Sequence, residues 1–160
     1  MYKRTMTALA VAAACAALYA QAQVPQYGAN VNLEQAKKCA AVSEAEARKN
    51  SWPVAVAVTD TAGMLVYFQR MDQTQTGSLD IAIDKSRSAS MLRRSTKVIQ
   101  DAIAGGGAGL RFLGLRYASP VEGGLPIIVD GKVIGGVGVS GVNSDQDGVV
   151  AKACADAMLK

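Results

Sequence analysis

Hydrophobic and polar positions along this chain fall into three rhythms. The first is an apolar run, Met6 to Ala20, preceded by Lys3 and Arg4 and ending in Ala20-Gln21-Ala22. A charged start, a short apolar segment and an A-x-A exit make a secretory leader. The run is too short for a spanning helix, which takes about 20 residues. Cleavage after Ala22 would leave Gln23 to Lys160, 138 of the 160 residues and enough for one domain with its own core. The second rhythm is helical. Asn32 precedes Leu33 and stands three residues before Gln35, a capped start, and Leu33, Ala36, Cys39, Ala40 and Ala47 share one side of a helix that runs to about Lys49. Ile81, Ala82, Lys85, Ala89 and Leu92 repeat at the same spacing in a helix starting at Ser78 or its neighbour. Lys97 to Ala104 forms a shorter one. A final helix starts at Ser144, with Asp147 three residues on, and carries Val150, Ala153, Cys154 and Ala157.

The third rhythm is the strand alternation. Pro53 to Thr59 alternates valine with alanine, so both faces of that strand are apolar and it sits centrally in a sheet. Asp60-Thr61-Ala62-Gly63 turns it into a second strand, Met64 to Arg70. Leu125 to Val129 and Lys132 to Val139 form another hairpin around Asp130-Gly131, with a further short strand at Pro120 to Glu122. Val24 to Val31 is a lead-in, Met71 to Gly77 a polar connection, and Ala104 to Gly109 a glycine-rich loop. Hairpins imply antiparallel strands, and the helices between them cover the sheet, an α/β (α+β) class.

Composition narrows the chemistry. The chain has no histidine, which excludes His-ligated zinc or haem, Ser-His-Asp triads and Cys-His dyads. Its charge of +4, from 17 basic and 13 acidic residues, falls to +2 once Lys3 and Arg4 leave with the leader, which is no signal for nucleic acid. Cys15 also leaves, and the remaining pair, Cys39 and Cys154, lies on or beside apolar faces of the two terminal helices. In an oxidising compartment such a pair forms a disulfide; two buried free thiols are the alternative. Gly136-Val137-Gly138-Val139-Ser140-Gly141 matches the dinucleotide fingerprint, but the second strand of that motif is missing, and close approach of a helix over a bare strand accounts for the glycines better. Asn143 to Gly148 resembles a calcium loop, yet Cys154 stands where the bidentate acid belongs, so a helix cap explains it. Gly105-Gly106-Gly107 lacks the lysine of a P-loop.

The polar residues Arg70, Asp72, Lys85, Arg87 and Glu122 sit at element ends or on the middle helix. Lys85 lies on an apolar stripe, where a lysine either snorkels to solvent or turns into a pocket to meet an acid or an anionic ligand. Tyr67 and Met71 are candidate apolar walls for such a pocket.

Four segments together resemble the GlcG/HbpS-like family, to which the C-terminal domain of PduO is related. They are Asp60-x-x-Gly63; Leu65-Val66-Tyr67-x-x-Arg70-Met71-Asp72; Gly77-Ser78-x-Asp80-Ile81-Ala82-x-x-Lys85; and Glu122-Gly123-Gly124-x-Pro126-Ile127-x-Val129-Asp130-Gly131. Gly138-Val139-Ser140-Gly141 with Asp145-Gln146-Asp147 extends the likeness, which spans about Asn32 to Leu159. The resemblance implies a profilin-like α/β/α sandwich with an antiparallel sheet of about five strands, an exported homo-oligomer, and binding of haem or a related tetrapyrrole. A binding role is expected ahead of turnover, and no catalytic residue is assigned. It implies a ligand site at Tyr67, Arg70, Met71, Asp72, Lys85, Arg111, Glu122 and Gly123. Without histidine, iron would take an oxygen from Tyr67, Tyr117, Thr74 or Thr76, or sulfur from Met71, while Arg70, Lys85 and Arg111 meet the propionates. Two other readings stand beside it. One is an enzyme or accessory factor for a small organic acid, with Glu122 or Asp72 as acid-base groups. The other is a non-catalytic oligomeric interaction protein.

Overall fold

A computed structural model describes residues 24–159, so the leader and Cys15 lie outside the described residues. The elements follow as β1 (Gln26–Tyr27), α1 (Leu33–Lys49), β2 (Ala55–Thr59), β3 (Leu65–Arg70), α2 (Ser78–Leu92), α3 (Thr96–Ala104), a 3-10 helix (Gly107–Gly114), β4 (Gly124–Val129), β5 (Lys132–Ser140) and α4 (Ser144–Met158). The long strand β5 organises the sheet. It pairs antiparallel with β4 along one edge and with β2 along the other, and β2 pairs on to β3. Beyond the end of β2, β1 takes the same edge of β5 in parallel.

This is an α+β fold with helices on both faces of a mixed five-stranded sheet. Three details differ from the sequence-based expectation. The parallel strand β1 comes from the lead-in, where two residues carry no alternation to read. Pro120 to Glu122 is not a strand but an irregular segment that passes over the start of β4. The glycine-rich loop closes into the 3-10 helix from Gly107 onward.

The two faces of the sheet differ in side-chain size. Val56 pairs with Val139 and Val58 with Val137, and these valines pack under α1 and α4 against Ala36, Cys39, Ala40, Val150 and Cys154. The opposite face presents Ala55, Ala57, Thr59, Gly136 and Gly138, so α2 rests almost backbone to backbone on it. A Cβ on Gly138 would collide with the carbonyl oxygen of Ala82, and one on Gly136 with that of Ser86. Thr59 and Ser86, enclosed there, are paired: Thr59 Oγ1 lies 2.9 Å from Ser86 Oγ, which donates to the Gly136 carbonyl at 2.8 Å. The G-x-G-x-x-G string therefore serves helix packing. Gly138→Ala should cost about 1–3 kcal/mol by overpacking. The check is a lower urea midpoint, with Gly114→Ala, whose Cβ would meet open space, as the neutral control.

Caps and turns set the helix ends. The α1 start has both halves of the Asn32–Gln35 capping box. The same device begins α4 between Asn143 and Gln146 rather than between Ser144 and Asp147, which frees Asp147 for another partner. At α2 the cap position is Gly77, which has no side chain to bond, and Ser78 is the first helical residue. Asp130 and Gly131 both adopt positive φ, 50° and 71°, the backbone of a two-residue hairpin turn. Cys39 and Cys154 are joined in a disulfide, with Cα atoms 4.6 Å apart, and it clasps α1 to α4.

Candidate functional site

Lys85 lies on the sheet-facing side of α2 and is 1% exposed. Its Nζ reaches the point where β4 begins and β5 ends. There it donates to the Val139 carbonyl at 2.9 Å and to Asp147 Oδ2 at 2.8 Å. Asp147, in the first turn of α4 and 2% exposed, holds its other oxygen on the Val142 amide at 3.2 Å. The lysine thus crosses from the helix layer on one face of the sheet to the helix layer on the other. Gly123 leaves the passage open: a Cβ there would lie 2.8 Å from both Lys85 Nζ and Asp147 Cβ, and its φ of 121° suits glycine alone. Burial pushes Lys85 below and Asp147 above their ordinary values, each opposed by the attraction of the other.

The pair forms part of the wall of a cleft of about 350 Å³. Ile81, Asp84 and Arg87 of α2 form one side, residues 116–121 another, and Ser140, Val142 and Ser144 the turn from β5 into α4. The 116–121 segment is tied in place, with the Ser119 amide donating to Ser88 Oγ at 3.1 Å. Just beyond it, the Glu122 amide donates to Gln100 Oε1 and the Gly124 amide to Thr96 Oγ1. Arg116 stacks over the Tyr117 ring at 5.4 Å. Arg87 donates to the Gly63 carbonyl and pairs with Asp84.

Of the residues expected in a ligand site, Lys85, Glu122 and Gly123 come together here. Glu122 is half-buried, within 3.9 Å of Lys97, and its charge acts on Lys85. The others lie elsewhere. Tyr67 pairs with Val58 and packs into the core under α1. Met71 and Asp72 line a shallow groove with Trp52 at the end of α1. Arg70 shares a row with Ala55 and Ser140, two strands from the cleft, and donates to the Thr74 carbonyl. Arg111 is exposed on the 3-10 helix. Among the iron-ligand candidates, Thr74 is buried and donates to the Met71 carbonyl, Thr76 is exposed, and Tyr117 lines the cleft. Sequence reasoning missed Asp147, Arg116 and Val142 as parts of this site. The one available signal was Lys85 itself, since a lysine facing a sheet requires a buried acid. Among the described residues no cluster of three His, Cys, Asp or Glu forms a metal site, and no helix is long and apolar enough to cross a membrane.

Residues 31–156 match the family model described as "Haem degrading protein HbpS-like". The chain belongs to the HbpS-like family. It is 39% identical over 130 residues to a 15.0 kDa protein of the dhaT–dhaS intergenic region of Citrobacter freundii, covering 80% of this chain and 92% of that one. It is 38% identical over 110 residues to protein GlcG of Escherichia coli K12, covering 69% and 81%. The crystal structure of a PduOC:heme complex superposes with a TM-score of 0.73 at 25% identity, over 80% of this chain and 94% of that one. Membership in the family makes haem the first ligand to test against the cleft.

Proposed function

We propose that this HbpS-like chain is exported and binds haem or a related tetrapyrrole in the cleft beside Lys85. The observation that carries this reading is the make-up of the walls. Ile81, Val121 and Val142 offer apolar surface to a macrocycle, Arg87 and Arg116 offer charge to its propionates, and Tyr117 offers an oxygen to iron. In a chain without histidine, Tyr117 is the expected ligand candidate that lies in this cleft. The haem-bound PduOC relative supports the ligand class, and the leader and the disulfide support export. Bound iron would supply redox and ligand-binding chemistry, and Tyr117, Arg87 and Arg116 are the residues that would hold the group.

Haemin titrated into the protein spanning Gln23 to Lys160 should give a saturable Soret shift at micromolar haem. Tyr117→Phe should weaken it about tenfold, ~1.4 kcal/mol, and change the ligand-sensitive bands. A flat titration of the unmutated protein rejects the reading. Export predicts that periplasmic protein begins at Gln23, read by N-terminal sequencing.

The size of the cleft supports a second reading. A volume of about 350 Å³ lies at the small end of ligand pockets and takes a small organic acid whole, its carboxylate on Arg116 or Arg87.

A further inference from the structure

We propose that Lys85 is an amine nucleophile that captures small carbonyl acids, of the 2-oxo-acid or aldehyde-acid class, as an imine in this cleft. The inference rests on the small-acid reading and adds a covalent step to it. Three features point to it together. Lys85 and Asp147 are both in the cleft wall and both almost completely buried. The carboxylate sits 2.8 Å from Nζ, close enough to take a proton and return it. Arg116 and Arg87 line the same cleft as Lys85, which gives a ligand carboxylate counter-charges in the cleft that holds the amine.

A structural ion pair alone does not require a cleft beside it, or hydroxyls of Ser140 and Ser144 and the cations of Arg87 and Arg116 in its lining. Burial lowers the proton affinity of Lys85 and raises that of Asp147, which favours moving the proton between them.

The step balances without an outside reagent. Asp147 takes one proton from the ammonium, and the Nζ lone pair attacks the carbonyl carbon to give a carbinolamine. The carbinolamine oxygen then leaves as water with the proton returned by Asp147. An ammonium and a carbonyl become an iminium and one water, and the iminium N–H faces the restored carboxylate.

The probes are glyoxylate and pyruvate, each incubated with the folded protein and sodium cyanoborohydride, followed by intact mass and peptide mapping. With glyoxylate the expected product is one carboxymethyl group on Lys85. Exposed Lys152 in the same molecule serves as the internal reference. Lys85 should carry about tenfold more label than Lys152, as a desolvated lysine does when it acts as a nucleophile. Arg116→Ala, which leaves the ion pair intact, should lower Lys85 labelling about tenfold without changing Lys152, a carboxylate contact being worth ~1.4 kcal/mol. Labelling spread evenly over the surface lysines, or absent from Lys85, overturns the inference. Thermal shift with glycolate and lactate, which carry no carbonyl to trap, separates the two levels. A rise in melting temperature with glycolate or lactate, together with no label on Lys85 from glyoxylate or pyruvate, leaves the small-acid reading standing and removes the imine. Absence of both the rise and the label removes both.

Discussion

Lys85→Met is expected to lower the free energy of unfolding by about 3–5 kcal/mol at neutral pH. The substitution keeps the stem of the side chain and its packing on the sheet, but it strands Asp147. That carboxylate is 2% exposed and would retain only backbone partners. The loss therefore comes from a buried charge without its counter-ion. The corollary separates this cause from simple loss of packing: Lys85→Met combined with Asp147→Leu should recover most of the deficit, because replacing both members of a buried pair by apolar groups is often neutral or stabilising. Urea unfolding of the two single variants and the double variant gives the cycle. A Lys85→Met loss below about 1 kcal/mol would mean that water reaches the pair, the exposed-pair limit.

The same pair sets a pH signature. The folded-state value of Lys85 lies below its ordinary 10.5 because of burial. In the interval between them the unfolded chain binds more protons, so stability should rise with pH there, with the contribution fully present above 10.5. Asp147 lies above its ordinary 3.8, so its contribution is fully present below 3.8 and fades as pH rises through the folded value. Both slopes should vanish in the double variant.

Breaking the clasp between Cys39 and Cys154 should have a comparable cost. The bond closes a loop across 115 residues, for which the chain-entropy relation gives about 4–5 kcal/mol, with removals of native disulfides measuring about 2–5 kcal/mol. Both residues are fully buried where α1 meets α4, so Cys39→Ala with Cys154→Ala keeps an apolar contact while releasing the crosslink. The expected result is a lower urea midpoint in the double variant than in the unreduced protein. Equal midpoints would show that packing of the two helices already restrains the chain as strongly as the bond does. The prediction also bears on export, since a bond this important to stability forms readily in an oxidising compartment and poorly in a reducing one.

Local patterns account for much of the fold. The alternation of Val54, Val56 and Val58 with Ala55 and Ala57 already placed β2 in the middle of a sheet with two apolar faces, because strand period sends those two sets to opposite sides. Asp130-Gly131 marked its hairpin because few residues other than glycine, asparagine and aspartate adopt positive φ cheaply. The glycines of β5 announced a close helix, and α2 is that helix. The absence of histidine excluded whole classes of chemistry without any coordinates. What local reading missed was non-local. Strand β1 is two residues whose pairing is supplied by the far end of the chain. Pro120 to Glu122 had strand-like composition, but bonds from Ser119, Glu122 and Gly124 to α2 and α3 hold it as a cleft wall.

The site divides in the same way. Sequence alone determined that Lys85 sits on a buried stripe and must resolve its charge, because helical period assigns its face whatever the rest of the chain does. Which resolution it takes was decided only by the tertiary structure. Gly123 opens the passage between β4 and β5, the cap at Asn143 leaves the side chain of Asp147 free in the first turn of α4, and Lys85 and Asp147 meet across 62 residues of sequence. Tyr67, Met71 and Arg70 share the sequence motif but not the cleft. Tyr67 pairs with Val58 on the face that α1 covers, and Arg70 lies two strands from the cleft; which helix covers which face, and how many strands intervene, are fixed only once the strand has neighbours.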